Sequence, residues 1–183
     1  MIISRDKKEK NIAEYVLYMW QIEDLIRAFK FDIASLEKNI FGLFSANPLL
    51  RKEFYEWYSN LIQMMELEQI KNSGHLQITK NIVLDLNTLH VGLLKSPEEK
   101  NYRELYSKAV PNLYQFQQKI SSPEANEVEM MFIGLYGLLM MRIKKATISV
   151  DTEKAMKSFS DLMSLLTFKY HEREEKEKKE FQG

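Results

Sequence analysis

Three of the four prolines in this chain stand directly behind a residue that caps helices: Asn47-Pro48, Ser96-Pro97 and Ser122-Pro123. Each pair puts a side-chain acceptor at the N-cap and a ring without an N–H at the first helical position, where that donor has no partner anyway. Three helix starts are therefore written into the sequence. Ser96 adds Glu99 three residues on, which reads as a capping box, and Val150-Asp151 followed by Ala155 reads as a staple and cap for a fourth start. Strands lack comparable signals: alternation never persists, and no Asn-Gly or Asp-Gly hairpin occurs.

Between these marks the apolar residues recur with helical spacing, which predicts helices over about 8–30, 33–45, 48–72, 76–94, 97–120, 123–147 and 152–178. The third carries Leu50, Phe54, Trp57, Leu61 and Met65 on one stripe, and the seventh Ala155, Phe159, Leu162, Leu166 and Tyr170. On the fifth the stripe is Tyr102, Leu105, Tyr106, Ala109, Leu113, Phe116 and Ile120, with Pro111 opposite, where a bend around the core does least harm. Connections this short favour antiparallel neighbours. The expectation is an all-α, single-domain antiparallel helical bundle of six to seven helices over 1–170. A charged, solvated helix extension follows over 171–183, because Lys169 to Glu180 holds five Lys/Arg and five Glu with Glu-to-Lys pairs four residues apart.

The charges, 26 Lys+Arg against 26 Asp+Glu, cancel, so no bulk attraction to nucleic acid or an anionic membrane follows. Aromatics around Phe54 to Tyr58 are flanked by Arg51, Lys52, Glu53 and Glu56, not by the surplus of positive charge that base stacking needs. Cysteine is absent, which removes disulfides, thiolate zinc sites, iron–sulfur clusters and cysteine nucleophiles. Residues 1–10 show no signal-peptide pattern, and the longest apolar run, Met130 to Met141, is shorter than the ~20 residues of a spanning helix. A cytoplasmic protein is expected, with the sixth helix as its most buried element.

The segment Asn11 to Ala28, NIAEYVLYMWQIEDLIRA, resembles the opening of a family of uncharacterised proteins from Bacteroides-type bacteria catalogued as a domain of unknown function. The similarity extends to the length and the Lys/Glu-rich end. It implies an all-helical soluble protein and carries no activity, so no catalytic residue transfers from it.

Motifs with a chemical meaning are missing. No Walker A loop, dinucleotide fingerprint, nucleophile elbow, EF-hand loop or HExxH occurs. Helical di-iron sites need Glu three residues before His, whereas Asn72, Asn87 and Phe168 precede His75, His90 and His171. His171-Glu172-Arg173-Glu174-Glu175 lacks a second histidine and reads as solvated surface. No catalytic residue, metal or cofactor is predicted. His90, on a face with Leu76, Val83 and Leu94, reads first as a satisfied core histidine and second as a ligand; His75, after Ser73-Gly74, reads as a loop residue. Ten methionines, several in adjacent pairs, suit a core and also an adaptable binding groove. Gly134 and Gly137 each cost the sixth helix ~1 kcal/mol against alanine, so a neighbouring helix or a ligand must come close there.

The sharpest expectation concerns Glu23. Ile12, Val16, Met19, Ile26 and Phe29 define the inward face of the first helix, and Glu23 falls within it while Asp24 points away. A buried carboxylate needs a partner; Arg27 lies one turn on, and Arg142 is embedded among Leu135, Leu138 and Leu139. The cluster Glu23, Arg27 and Arg142 either registers two helices or faces a pocket. Functionally, the expectation is a binding or interaction protein without catalysis, a homodimer or assembly component. The alternative is an enzyme or small-ligand-binding regulator with a central pocket that uses Glu23, Arg27, Arg142, His90 or Tyr136.

Overall fold

A computed structural model describes residues 7–40, 47–120, 122 and 124–180. The expectations for residues 1–6, for helix beyond position 40, for Pro123 and for 181–183 lie outside the described residues. The protein is all-α, with no strand among the described residues. After a helical turn at 7–10 come α1 (Ile12–Ala28), α2 (Ile33–Asn39), α3 (Pro48–Leu67), α4 (Gln77–Lys95), α5 (Lys100–Gln117), α6 (Glu127–Ile143) and α7 (Val150–Glu180). The chain forms two compact units, Met1–Ile82 and Val83–Gly183, whose boundary falls within α4.

Short polar side chains start most of the helices. Asn11 Oδ1 accepts from the amides of Ala13 and Glu14 at 3.1 Å each, Asp32 from Ala34, and Asn47 from Leu49 ahead of Pro48, as its sequence pair requires. Three starts differ from expectation. Residues 96–99 form a turn and α5 begins at Lys100, because Ser96 and Pro97 offer their carbonyls to Arg103 and Glu99 is engaged by Lys169 at 2.7 Å. Likewise α6 begins at Glu127, capped by Asn126, whose side chain accepts from Glu129, rather than at the Ser122 signal. At α7 the cap is Ser149, whose hydroxyl accepts from the Thr152 amide, so the helix starts two residues before the expected point.

Three helices close in the same way. Phe31 N–H reaches Ile26, Ile70 N–H reaches Met65 and Ala146 N–H reaches Met141, each six-residue closure passing through a left-handed residue: Lys30 (φ 53°), Gln69 (φ 58°) and Lys145 (φ 52°). These are Schellman caps built without the usual glycine.

The core of the first unit is the inward face of α1, where Ile12, Val16, Met19, Trp20 and Ile26 are buried, packed with Phe54, Tyr58, Leu61 and Met65 of α3. Within the second unit α7 runs back along α5. Asn112 meets Ser158 at 2.9 Å near one end, Glu99 meets Lys169 at the other, and Phe116 sits edge-on to Phe159. Helix α6 closes on α7 at Gly134, where a Cβ would lie 3.1 Å from both Met156 Sδ and the Phe159 ring. The extension expected from residue 171 continues α7 without a break. Residues 171–174 are only half-exposed, where Arg173 pairs with Asp85 at 2.7 Å, and 175–180 are exposed.

Helix α6 is not the most buried element. Val128, Met130, Met131, Phe132 and Gly134 of its first half are buried, whereas Leu135, Tyr136 and 138–141 are half-exposed and Ile143 is 60% exposed. Burial is complete only in its N-terminal half, so the most apolar helix of the chain keeps a half-covered end.

Candidate functional site

Glu23 is fully buried in the middle of α1. Its partners are not the expected arginines. Oε2 lies 2.7 Å from His75 Nδ1 and Oε1 accepts the Leu76 amide at 3.1 Å. A carboxylate can only accept, so Nδ1 carries the hydrogen. The His75 ring lies flat on Trp20, with centroids 3.9 Å apart and planes 9° apart. Arg27, one turn on, grips the same loop by its other polarity, donating to the carbonyls of Ile70 and Gly74 while its remaining arm pairs with exposed Asp24 at 2.9 Å. Thus Glu23 and Arg27 share a target rather than each other: the loop between α3 and α4, whose N–H groups and carbonyls they take in turn. Gly74, at φ 91°, supplies the turn that aims both ends of that loop at α1. Arg142 is exposed near the end of α6 in the second unit and takes no part in the cluster proposed for it. Its place on a helix end with open sides explains why an apolar neighbourhood in sequence did not become burial.

His90 is buried in the second unit and satisfied at both nitrogens. Nε2 lies 2.9 Å from Glu127 Oε2, Nδ1 lies 2.7 Å from the Tyr102 hydroxyl, and Tyr106 donates to the other oxygen of Glu127 at 2.9 Å. Glu127 stands in the first turn of α6, where the helix dipole favours negative charge. The His90 bond and then the Tyr106 bond hold its carboxyl below the usual carboxylate range, against the opposing effect of burial. Burial, then the bond to Glu127, pushes the Tyr106 phenol up to about 12; Tyr102 is raised too, chiefly by burial. The order of roles follows: Glu127 accepts from Tyr106 and from His90 Nε2–H, and His90 Nδ1 then accepts from Tyr102. This chain joins α4, α5 and α6. Tyr102 has no exposed surface, His90 is buried and both carboxylate oxygens of Glu127 are taken by helix-to-helix bonds, so the arrangement fastens helices.

The open end of α6 forms the floor of a groove of about 810 Å³ in the second unit. Phe116, Ile133, Leu138, Met141 and Met156 supply its apolar surface, with Gly134 and Gly137 between them. Lys119, Asp151 and Lys154 stand exposed at its edge, and the α7 cap residues Ser149 and Thr152 close one side. The volume lies within the ~300–1,000 Å³ typical of small-molecule sites. Tyr136, a polar candidate from the sequence, is half-exposed on α6 and is not among the lining residues.

His75, Glu127, Tyr102 and Tyr106 escaped the sequence reading. Only the demand of buried Glu23 for a partner pointed toward His75, and nothing in the spacing linked Glu127 to a histidine 37 residues earlier. Among the described residues no group of three or more His, Cys, Asp or Glu is placed to hold a metal ion, and no helix is long and apolar enough to cross a membrane. A family profile described as a domain of unknown function, DUF4924, matches residues 1–177. No curated protein and no solved structure matches the chain.

Proposed function

This chain belongs to the DUF4924 family, a domain of unknown function, and we propose that it is a binding protein without chemistry of its own, whose binding face is the open half of α6. The observation that carries this reading is the half-covered C-terminal half of the chain's most apolar helix, which lines a groove of small-molecule size. Soluble proteins seldom leave such surface without a use. A cytoplasmic place of work is part of this reading, supported by the absence of cysteine, which suits a reducing compartment, and a bacterial one rests on the resemblance of Asn11 to Ala28 alone.

Nile red, a neutral dye that brightens on apolar surfaces, tests the reading. It is expected to bind the full chain and to be lost in Leu138→Lys at unchanged helical circular dichroism. Absence of dye binding, or binding indifferent to Leu138→Lys, refutes it. A second reading, a homodimer through the same face, draws on Ile143 and Val150, 60% and 63% exposed at the facing ends of α6 and α7. Light scattering on a gel-filtration column decides it: a monomer at micromolar concentration excludes the dimer.

A further inference from the structure

The two glycines of α6 have different reasons to exist. Gly134 lets α7 approach, since a Cβ there would press on Met156 and Phe159 at 3.1 Å. At Gly137 a Cβ would meet nothing within 4 Å, yet a glycine inside a helix costs roughly 0.5–1 kcal/mol against alanine. Gly92 of α4 is open in the same way, and what sets Gly137 apart is its place on the floor of the groove. The rim adds charge. Lys119 and Lys154 stand exposed there, and neither is held in an ion pair with a carboxylate among the described residues. With Asp151 beside them, the rim holds two positive charges and one negative, a surplus of one.

We propose that the groove takes a free single-chain amphipathic monoanion, its carboxylate between Lys119 and Lys154 and its apolar body laid along α6 across Gly137. The surplus charge matches one carboxylate. The apolar floor matches an alkyl chain, and methionines 141 and 156 adapt to its shape. This rests on the binding reading above and adds the chemical class of the ligand to it.

Decanoate, decanol and decyltrimethylammonium, titrated into the full chain by calorimetry at pH 7, test the proposal. Decanoate is expected to bind at least tenfold more tightly than decanol, and the cation least. Lys119→Gln with Lys154→Gln should bring decanoate to the affinity of decanol, and Gly137→Leu should weaken both at least tenfold at unchanged circular dichroism. Equal affinities for decanoate and decanol overturn the acidic head while leaving an apolar site. No binding of any of the three, with Nile red still bound, overturns the ligand class and spares the binding face. Binding indifferent to Gly137→Leu overturns the location. A dimer in light scattering that Gly137→Leu converts to monomer overturns the proposal in favour of a second copy as occupant.

Discussion

Replacing Glu23 separates two ways a buried carboxylate can matter. In Glu23→Ala the Leu76 amide, on a residue with no exposed surface, loses its acceptor, which costs about 1–3 kcal/mol. The bond to His75 is lost as well. Its ring keeps 29% exposure, so water replaces part of that bond and the loss is nearer ~1 kcal/mol than the ~1.5–3 of a fully buried charged one. Removing the carboxylate also removes its own burial penalty. The expected destabilisation is about 2–4 kcal/mol. Glu23→Gln keeps an oxygen for Leu76 and offers an N–H to the other tautomer of His75, so it should lie within about 1 kcal/mol of the parent. Asp24 is half-exposed, and without it the largely buried Arg27 still donates to the Ile70 and Gly74 carbonyls, so Asp24→Ala should cost no more than about 1 kcal/mol. Urea unfolding followed by tryptophan fluorescence is the assay, because Trp20 and Trp57 both report from the first unit. At a slope near ~2 kcal/mol per molar, Glu23→Ala should lower the midpoint by about 1–2 M. Equal midpoints for Glu23→Ala and Asp24→Ala would refute burial as the controlling factor. A Glu23→Gln variant as weak as Glu23→Ala would show that charge, and not the pattern of donors, holds the loop.

Gly137→Ala should stabilise the chain by roughly 0.5–1 kcal/mol because its Cβ enters open space, whereas Gly134→Ala should fail to gain, since Phe159 is fully buried and must move; thermal unfolding by circular dichroism compares the two. Glu127 is held below its ordinary range, so its contribution is present above the unfolded carboxyl pKa and is lost as pH falls through the folded one. Glu127→Gln should therefore flatten the acid limb of stability, read as midpoint against pH. Tyr106 is shifted the other way, so its contribution is present below pH ~10 and is lost as pH rises toward about 12; absorbance near 295 nm should show Tyr106→Phe losing amplitude from the late part of the phenolate rise and none from its early part. Arg142→Ala, at an exposed site, should change stability by less than about 0.5 kcal/mol.

Local rules carried far along this chain, and contacts distant in sequence set where they stopped. Asn47-Pro48 predicts the start of α3 to the residue, and Asn47 caps it by accepting the Leu49 amide. Ser96-Pro97 has the same form, but Arg103 draws both carbonyls and Lys169, 70 residues on, takes Glu99, so the turn wins over the capping box. Burial of Glu23 was legible from the 100° step of a helix. Its partner was not, because His75 sits 52 residues away in a loop whose path only packing fixes. Arg27 was rightly singled out and wrongly aimed, since an i,i+4 spacing says which residues are neighbours and not that they prefer each other to loop carbonyls. The apolar density of 130–141 was clear; that its second half is only half-covered depends on where α5 and α7 reach, which hydrophobicity alone does not encode.

The three helix ends that turn through Lys30, Gln69 and Lys145 leave a margin for engineering and for evolution alike. Each forces a side-chain-bearing residue into a left-handed backbone at a cost of ~1 kcal/mol that glycine avoids, and the three sites belong to separate helices and share no partner. Glycine at all three should add roughly 2–3 kcal/mol in nearly additive steps. A chain that keeps lysine and glutamine there has not been driven to its stability limit, and it holds in reserve enough tolerance to absorb one or two ordinary destabilising substitutions elsewhere.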